Sequence, residues 1–363
     1  GTIRFTDEDG TVVEQSALGG KPPGRESASY QAARHKRFAW FDEAGLQPSI
    51  PEGGARIGFL SARLHKIPER LYLEADRSAG TPFASFFLYP RKDDHLDSLS
   101  GQLYEYVARG SKFLHSSGKY SMLNKGGGSG EESLDLLLVM HKRNPFPLHP
   151  DKAENGDFIR KGSIELIPGL VVAENNGAGD SYGQFGWKNY YGTGSKWIRR
   201  AVLTREGCLI VADEYTPART MGSSYNAGPV WHLALEDGQK HGVQKEHWFD
   251  APAFDHAWWQ DSEWRILLVH HRQDNLVVGS TKLTTSQDLD PNVTTYAYKP
   301  VEGGVTTRFL SVFVPHLHES RRPRIEPTIT PRGVSRAQIG PTSIEIGTDG
   351  NWKVLRRQPS RKP

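Results

Sequence analysis

Cysteine is almost absent from this sequence. Cys208 is the single one among 363 residues, so the chain can form no internal disulfide and no thiolate metal site. It sits in the apolar run 208–212 (CLIVA), which predicts a buried thiol. Long apolar runs are missing as well. The longest, 134–140 (LDLLLVM), has the length of one buried strand and falls far short of the ~20 residues of a membrane-crossing helix. Charge of one sign is also lacking: 45 Lys and Arg stand against 42 Asp and Glu, a formal +3. Apart from Arg356, Arg357, Arg361 and Lys362 in the tail, no cationic run exists to neutralise a row of phosphates, so nucleic acid is not an expected partner. The stretch 125–130 (KGGGSG) lacks the ending of a phosphate loop and reads as a surface loop. No nucleophile elbow and no helical pair of histidines is present.

Aromatic residues make up 10% of the chain, which excludes wholesale disorder. Glycine (38) and proline (23) are frequent, as expected of many turns between short strands. Apolar runs of four to seven residues recur at 197–203, 208–213, 230–235, 264–270, 309–314, 343–346 and 352–355. Sustained helical periodicity is absent. The expected fold is all-β: a large antiparallel β-sandwich of two or more sheets with little helix. Composition divides it into an irregular N-terminal extension (1–55), an N-terminal sheet portion (56–150) and a C-terminal sandwich (151–363). The first residue is Gly1 and no signal-type segment is visible, so the sequence reads as mature, trimmed, or part of something longer.

Two stretches concentrate chemistry. Residues 174–200 hold Asn175, Asn176, Trp187, Tyr190, Tyr191, Trp197 and Arg199 among several glycines. Glycine lets backbone approach a ligand, aromatic faces stack on sugar rings, and Asn and Arg bond hydroxyls and carboxylates. The stretch reads either as a carbohydrate surface or as an ordered β-connection whose aromatics cap a sandwich edge. Strand alternation puts Trp197 and Arg199 on one face and Arg200 on the other. Further on, His232 lies between Trp231 and Leu233; with that apolar pair facing the core, it is expected to point outward to a cleft or solvent. His232, His247, Asp250, His256 and His270 are the residues that could converge on a structural divalent metal ion; no other cofactor is expected. Asp213 and Glu214 follow a strand and read as a turn.

The segments 197–203 (WIRRAVL), 207–213 (GCLIVAD) and 229–233 (PVWHL), with 264–269 and 309–315 after them, resemble the C-terminal β-domain of heparinase II/III-like polysaccharide lyases. The likeness covers roughly residues 160–355. That family's His-x-His-x-Asp signature is absent, as is its α/α-toroid, so another domain or chain is expected to complete the cleft. The resemblance implies β-elimination on an acidic, uronate-containing polysaccharide by a secreted or periplasmic protein, with no redox cofactor. It assigns Tyr190 or Tyr191 as base and acid, His232 as a second proton carrier, and Arg199, Asn175 and Asn176 to the substrate carboxylate, beside Trp187 and Trp197. Tyr120, with Arg109 and His115, forms a second candidate set. A non-catalytic carbohydrate-binding sandwich is the alternative from another functional class.

Overall fold

The computed structural model describes residues 2–6, 12–16, 54–62, 65–75, 81–88, 101–115, 137–142, 165–190, 193–234, 242–243, 245–253, 263–282 and 293–357. The chain divides into two units, Gly1–Glu52 and Gly53–Pro363. In the first, β1 (Thr2–Thr6) and β2 (Val12–Ser16) pair as an antiparallel hairpin, with Thr2 opposite Ser16. That hairpin lies within a stretch whose composition reads as irregular.

In the second unit, β3 (Arg56–Ala62), β4 (His65–Glu74), β5 (Phe83–Phe87), β6 (Leu103–Ala108) and β7 (Ser111–His115) form a five-stranded meander in chain order. The apolar run near residue 137 becomes β8 (Leu137–His141), buried from Leu137 to Met140. There follow β9 (Glu165–Leu166), β10 (Val172–Asn175), β11 (Ser181–Tyr190), β12 (Ser195–Leu203), β13 (Leu209–Thr216) and β14 (Tyr225–Leu233). Next come β15 (Gly242–Val243), β16 (Trp248–Pro252), β17 (Trp264–His270), β18 (Val277–Lys282), β19 (Val293–Val301) and β20 (Thr307–Leu317). The last four are β21 (Ile325–Ile329), β22 (Ser335–Ile339), β23 (Thr342–Ile346) and β24 (Trp352–Arg356). Among the described residues the only helical turns are two 3-10 turns, Pro168–Leu170 and Arg219–Met221, and no helix is long and apolar enough to cross a membrane. The protein is all-β.

An eight-stranded antiparallel sheet, β10-β11-β12-β13-β20-β17-β16 with β9 on β11, is the middle layer. Most residues of β11, β12, β13, β20 and β17 are buried on both faces, which explains why these strands read as largely apolar runs, whereas β9 and β10 at the sheet's margin are partly exposed. Leu209, Val211, Phe309 and Phe313 point to a core shared with β3–β7 and with the sheet β15-β18-β19-β14-β8. Ile210, Ala212, Leu310, Val312 and Val314 point the other way, onto the four-stranded sheet β21–β24. The period-two geometry of a strand thus sends alternate residues of one run into two different cores.

Arg356 on β24 ties that last sheet down. Its guanidinium donates to Asp180 and, from Nε at 2.8 Å, to Glu206 Oε1. Cys208 is buried as expected, and burial pushes its thiol up to about 12.

Candidate functional site

The described residues of the glycine- and aromatic-rich stretch 174–200 lie mostly on the β10–β11–β12 meander. Trp187 and Trp197 are directly opposed across β11 and β12, and both are fully buried. The Tyr190 ring lies 4.8 Å from that of Trp197, and its hydroxyl donates to Leu137 O at 2.7 Å. The expected alternation holds: Arg199 faces the core, while Arg200 faces the other side and bonds Gln184 Oε1 and Thr348 O. The expected cleft does not hold. Trp187, Trp197, Arg199 and Tyr190 lie inside the sandwich, where a polymer has no access, because the facing sheets cover this side of β11 and β12.

Arg199 is 0% exposed. Its Nε and Nη2 donate to Asp213 Oδ1 and Oδ2 at 2.8 and 2.9 Å, and its Nη1 donates to Gly101 O at 3.0 Å. Trp197 Nε1 donates to the same Asp213 Oδ1 at 2.8 Å. The guanidinium carbon sits 4.8 Å from the Trp197 ring and 4.9 Å from the Trp231 ring. This is a buried, charge-compensated bidentate pair, which corrects the expectation that Arg199 meets a substrate carboxylate. Asp213 and Glu214 are strand residues of β13, not a turn: Asp213 turns inward to Arg199, and Glu214 turns outward to Arg308. Gly101 (φ 89°) fits because the Trp197 ring occupies the place a Cβ would take.

His232 is corrected too. It does alternate with Trp231 and Leu233, but β14 is buried on both faces from Asn226 to Leu233. Its Nε2 lies 3.2 Å from the Thr294 hydroxyl across the β14–β19 ladder. Asn175 and Asn176 are exposed, yet their side chains organise the local backbone. Asn175 Oδ1 accepts from Ala55 N and Ser181 Oγ, and Asn176 Oδ1 accepts from the amides of Ala178 and Asp180. Arg109 is exposed at the β6–β7 turn, with φ 55° and its guanidinium 5.6 Å from the Trp264 ring. Tyr120, Tyr191 and His256 lie outside the described residues.

A polar depression of about 380 Å³ opens where the β17–β18 turn, the end of β19 and the start of β20 meet. His271, Gln273, Lys299, Glu302, Thr307 and Arg308 line it. Lys299 Nζ donates to Gln273 Oε1 at 3.2 Å, and Gln273 Nε2 donates to Arg308 O at 3.0 Å. Arg308 Nε donates to Glu214 Oε2 at 3.0 Å. His271 Nδ1 is 3.0 Å from Pro327 O, so it carries the proton. Burial, with Lys299 adding to it, holds this imidazole below its usual range despite that bond. Three cationic or donor groups against Glu302 suit an anionic, hydroxyl-rich ligand. Sequence reasoning missed this depression because its residues come from separate strands and turns, and only the fold places them together.

On the outer face of β16 and β17, Asp250 is saturated by Arg265 Nε (2.8 Å), His316 Nε2 (3.2 Å) and Arg322 Nε (2.6 Å). These partners hold its carboxyl well below the usual range against the opposing effect of burial. Asp250 is therefore unavailable to a metal. Among the described residues, no group of three or more His, Cys, Asp or Glu could hold an ion.

No family model and no curated protein sequence matches the chain. Among solved structures it is similar to the heparan sulfate lyase HepC from Pedobacter heparinus, with a TM-score of 0.55 and 11% identity over 86% of this chain and 44% of that one. It is also similar to two heparinase III structures, one at TM-score 0.54, 10% identity, and 85% and 43% coverage of the respective chains. The other has a TM-score of 0.53, 11% identity, and 87% and 44% coverage. At this identity the likeness is one of fold, and the chain spans less than half the length of these lyases. The likeness seen in strand rhythm is therefore present in three dimensions.

Proposed function

We propose that the protein is the β-sandwich part of a polysaccharide lyase acting by β-elimination on an acidic, uronate-containing glycan. The supporting observation is the fold shared over 86% of the chain with a heparan sulfate lyase. This is an analogy at the level of fold, and the polar depression that carries Lys299 and Arg308 supports it on chemical grounds. In the reaction a base removes the C5 proton beside the uronate carboxylate, the C4–O4 bond breaks, and O4 leaves with a proton. The carboxylate must be bound by cations or donors so that negative charge can develop at C5, and the base must reach that proton.

In this reading Lys299, Gln273 and Arg308 hold an acidic group of the glycan, and Arg109 is a second exposed cation. Tyr191 and Tyr120 keep the proton-transfer roles, because Tyr190 and His232 are buried in structural bonds. The setting is secreted or periplasmic. The test is the ultraviolet absorbance of the unsaturated uronate formed from heparan sulfate and other uronic glycans. The expected result is a rise with the wild type, lost in Tyr191→Phe or Tyr120→Phe and weakened in Lys299→Ala/Arg308→Ala. A second reading, a non-catalytic carbohydrate-binding sandwich, is favoured by the burial of Arg199, Tyr190 and His232. It predicts glycan retention that both Tyr→Phe changes leave intact, with no absorbance rise.

A further inference from the structure

Two imidazoles are left incompletely satisfied at the open edge of the middle sheet. His247 immediately precedes β16 and His270 ends β17. His270 N donates to His247 O at 2.8 Å, and the register Trp248 to Val269 continues outward to set the two histidines directly opposite each other. Opposed residues of an antiparallel pair share a face, with Cβ atoms about 4.5–5.5 Å apart. That face is the inner one, since Phe249 and Leu268, the next pair on the same side, belong to the main core. His270 is 2% exposed. Its Nε2 and the Nδ1 of His247 are buried side-chain nitrogens with no hydrogen-bond partner. A buried polar nitrogen left without a partner is unfavourable, so the arrangement calls for a ligand.

The other ring nitrogen of His270 is fixed. Its Nδ1 lies 3.2 Å from Ser311 Oγ, and that oxygen accepts from Trp231 Nε1 at 3.1 Å. Indole can only donate, so the serine oxygen already holds one proton donor and sets how the ring is oriented. A histidine with one nitrogen pinned by an outer partner and the other bare has the arrangement of a metal-ligating histidine.

We propose that His247 and His270 form a two-histidine site for a late first-row divalent ion such as Zn(II), with Ser311 and Trp231 as the outer support of His270 and water completing the coordination. Asp250 is not a ligand: it lies on the opposite face of β16 and is consumed by three partners. His271, next in sequence, is turned away to Pro327 O and serves as the control.

Chelator-stripped full-length protein titrated with Zn(II), and with Co(II) as a spectroscopic probe, tests this. The expected result is one ion per chain, a raised thermal midpoint with Zn(II), and Co(II) visible bands of nitrogen ligation. His247→Gln, at a half-buried position, should weaken binding at least tenfold; Ser311→Ala should weaken it by about 10-fold; His271→Gln should leave it unchanged. If the stripped wild type binds no Zn(II), or if His247→Gln and His271→Gln lower binding equally, the site is refuted and the two nitrogens are bridged by buried water.

Discussion

Arg199 and Asp213 are directly opposed across β12 and β13 and joined by two hydrogen bonds of 2.8 and 2.9 Å inside the main core. Removing one charge of such a pair leaves the other buried and uncompensated, which costs about 3–5 kcal/mol, whereas replacing both with apolar residues is often close to neutral. Asp213→Leu should therefore lower the urea midpoint more than the double change Arg199→Leu/Asp213→Leu. Equal loss in the single and double variants would contradict the compensation described here.

The pair also shows what the sequence does and does not reveal. The strand runs of β12, β13, β17 and β20 were legible because buried strands must be apolar and turns must carry glycine or proline. The partner of Arg199 was hidden. Asp213 lies 14 residues away, and an acidic doublet after an apolar run looks the same as a turn until the register is known. The aromatic surface failed for a related reason: large rings among glycines suit sugar stacking and sandwich packing equally well, and only a facing sheet decides which. Lys299, Gln273 and Arg308 carry no local signal because they meet only through the fold.

His232 and Tyr190 are structural in this arrangement. His232→Ala should cost about 2–4 kcal/mol of stability, in the range of large-to-small core changes, and Tyr190→Phe about 1 kcal/mol for the lost bond to Leu137 O. Neither should change turnover per folded molecule. Denaturant unfolding beside activity corrected for folded fraction checks this; a stable His232→Ala variant with lost turnover would return the residue to catalysis.

Gly228 marks a close backbone approach in β14. A Cβ there would lie 1.9 Å from Ala297 O, so Gly228→Ala should push β14 away from β19 and leave little soluble folded protein. Expression with a wild-type thermal midpoint would show that the ladder tolerates the shift.

Glu206 sets an acid limb. Its bonds to Arg356 and Arg205 outweigh the effect of burial and lower its carboxyl from 4.5 to about 2. The unfolded chain takes up this proton first as pH falls, so the stabilisation is fully present above the unfolded value and is lost between 4.5 and about 2. Glu206→Gln should flatten the pH dependence of the urea midpoint in that window and loosen β24 from the β12–β13 turn. An unchanged acid limb would contradict the link between Glu206 and Arg356.

The most direct test of the account is the ultraviolet assay on purified protein with heparan sulfate, run beside a retention assay on the same immobilised glycan. The lyase reading predicts both retention and a steady absorbance rise from the unsaturated uronate, with the rise lost in Tyr191→Phe or Tyr120→Phe while retention persists. Retention without any rise, unaltered by either tyrosine change, would contradict it and establish the sandwich as a binder of acidic glycans.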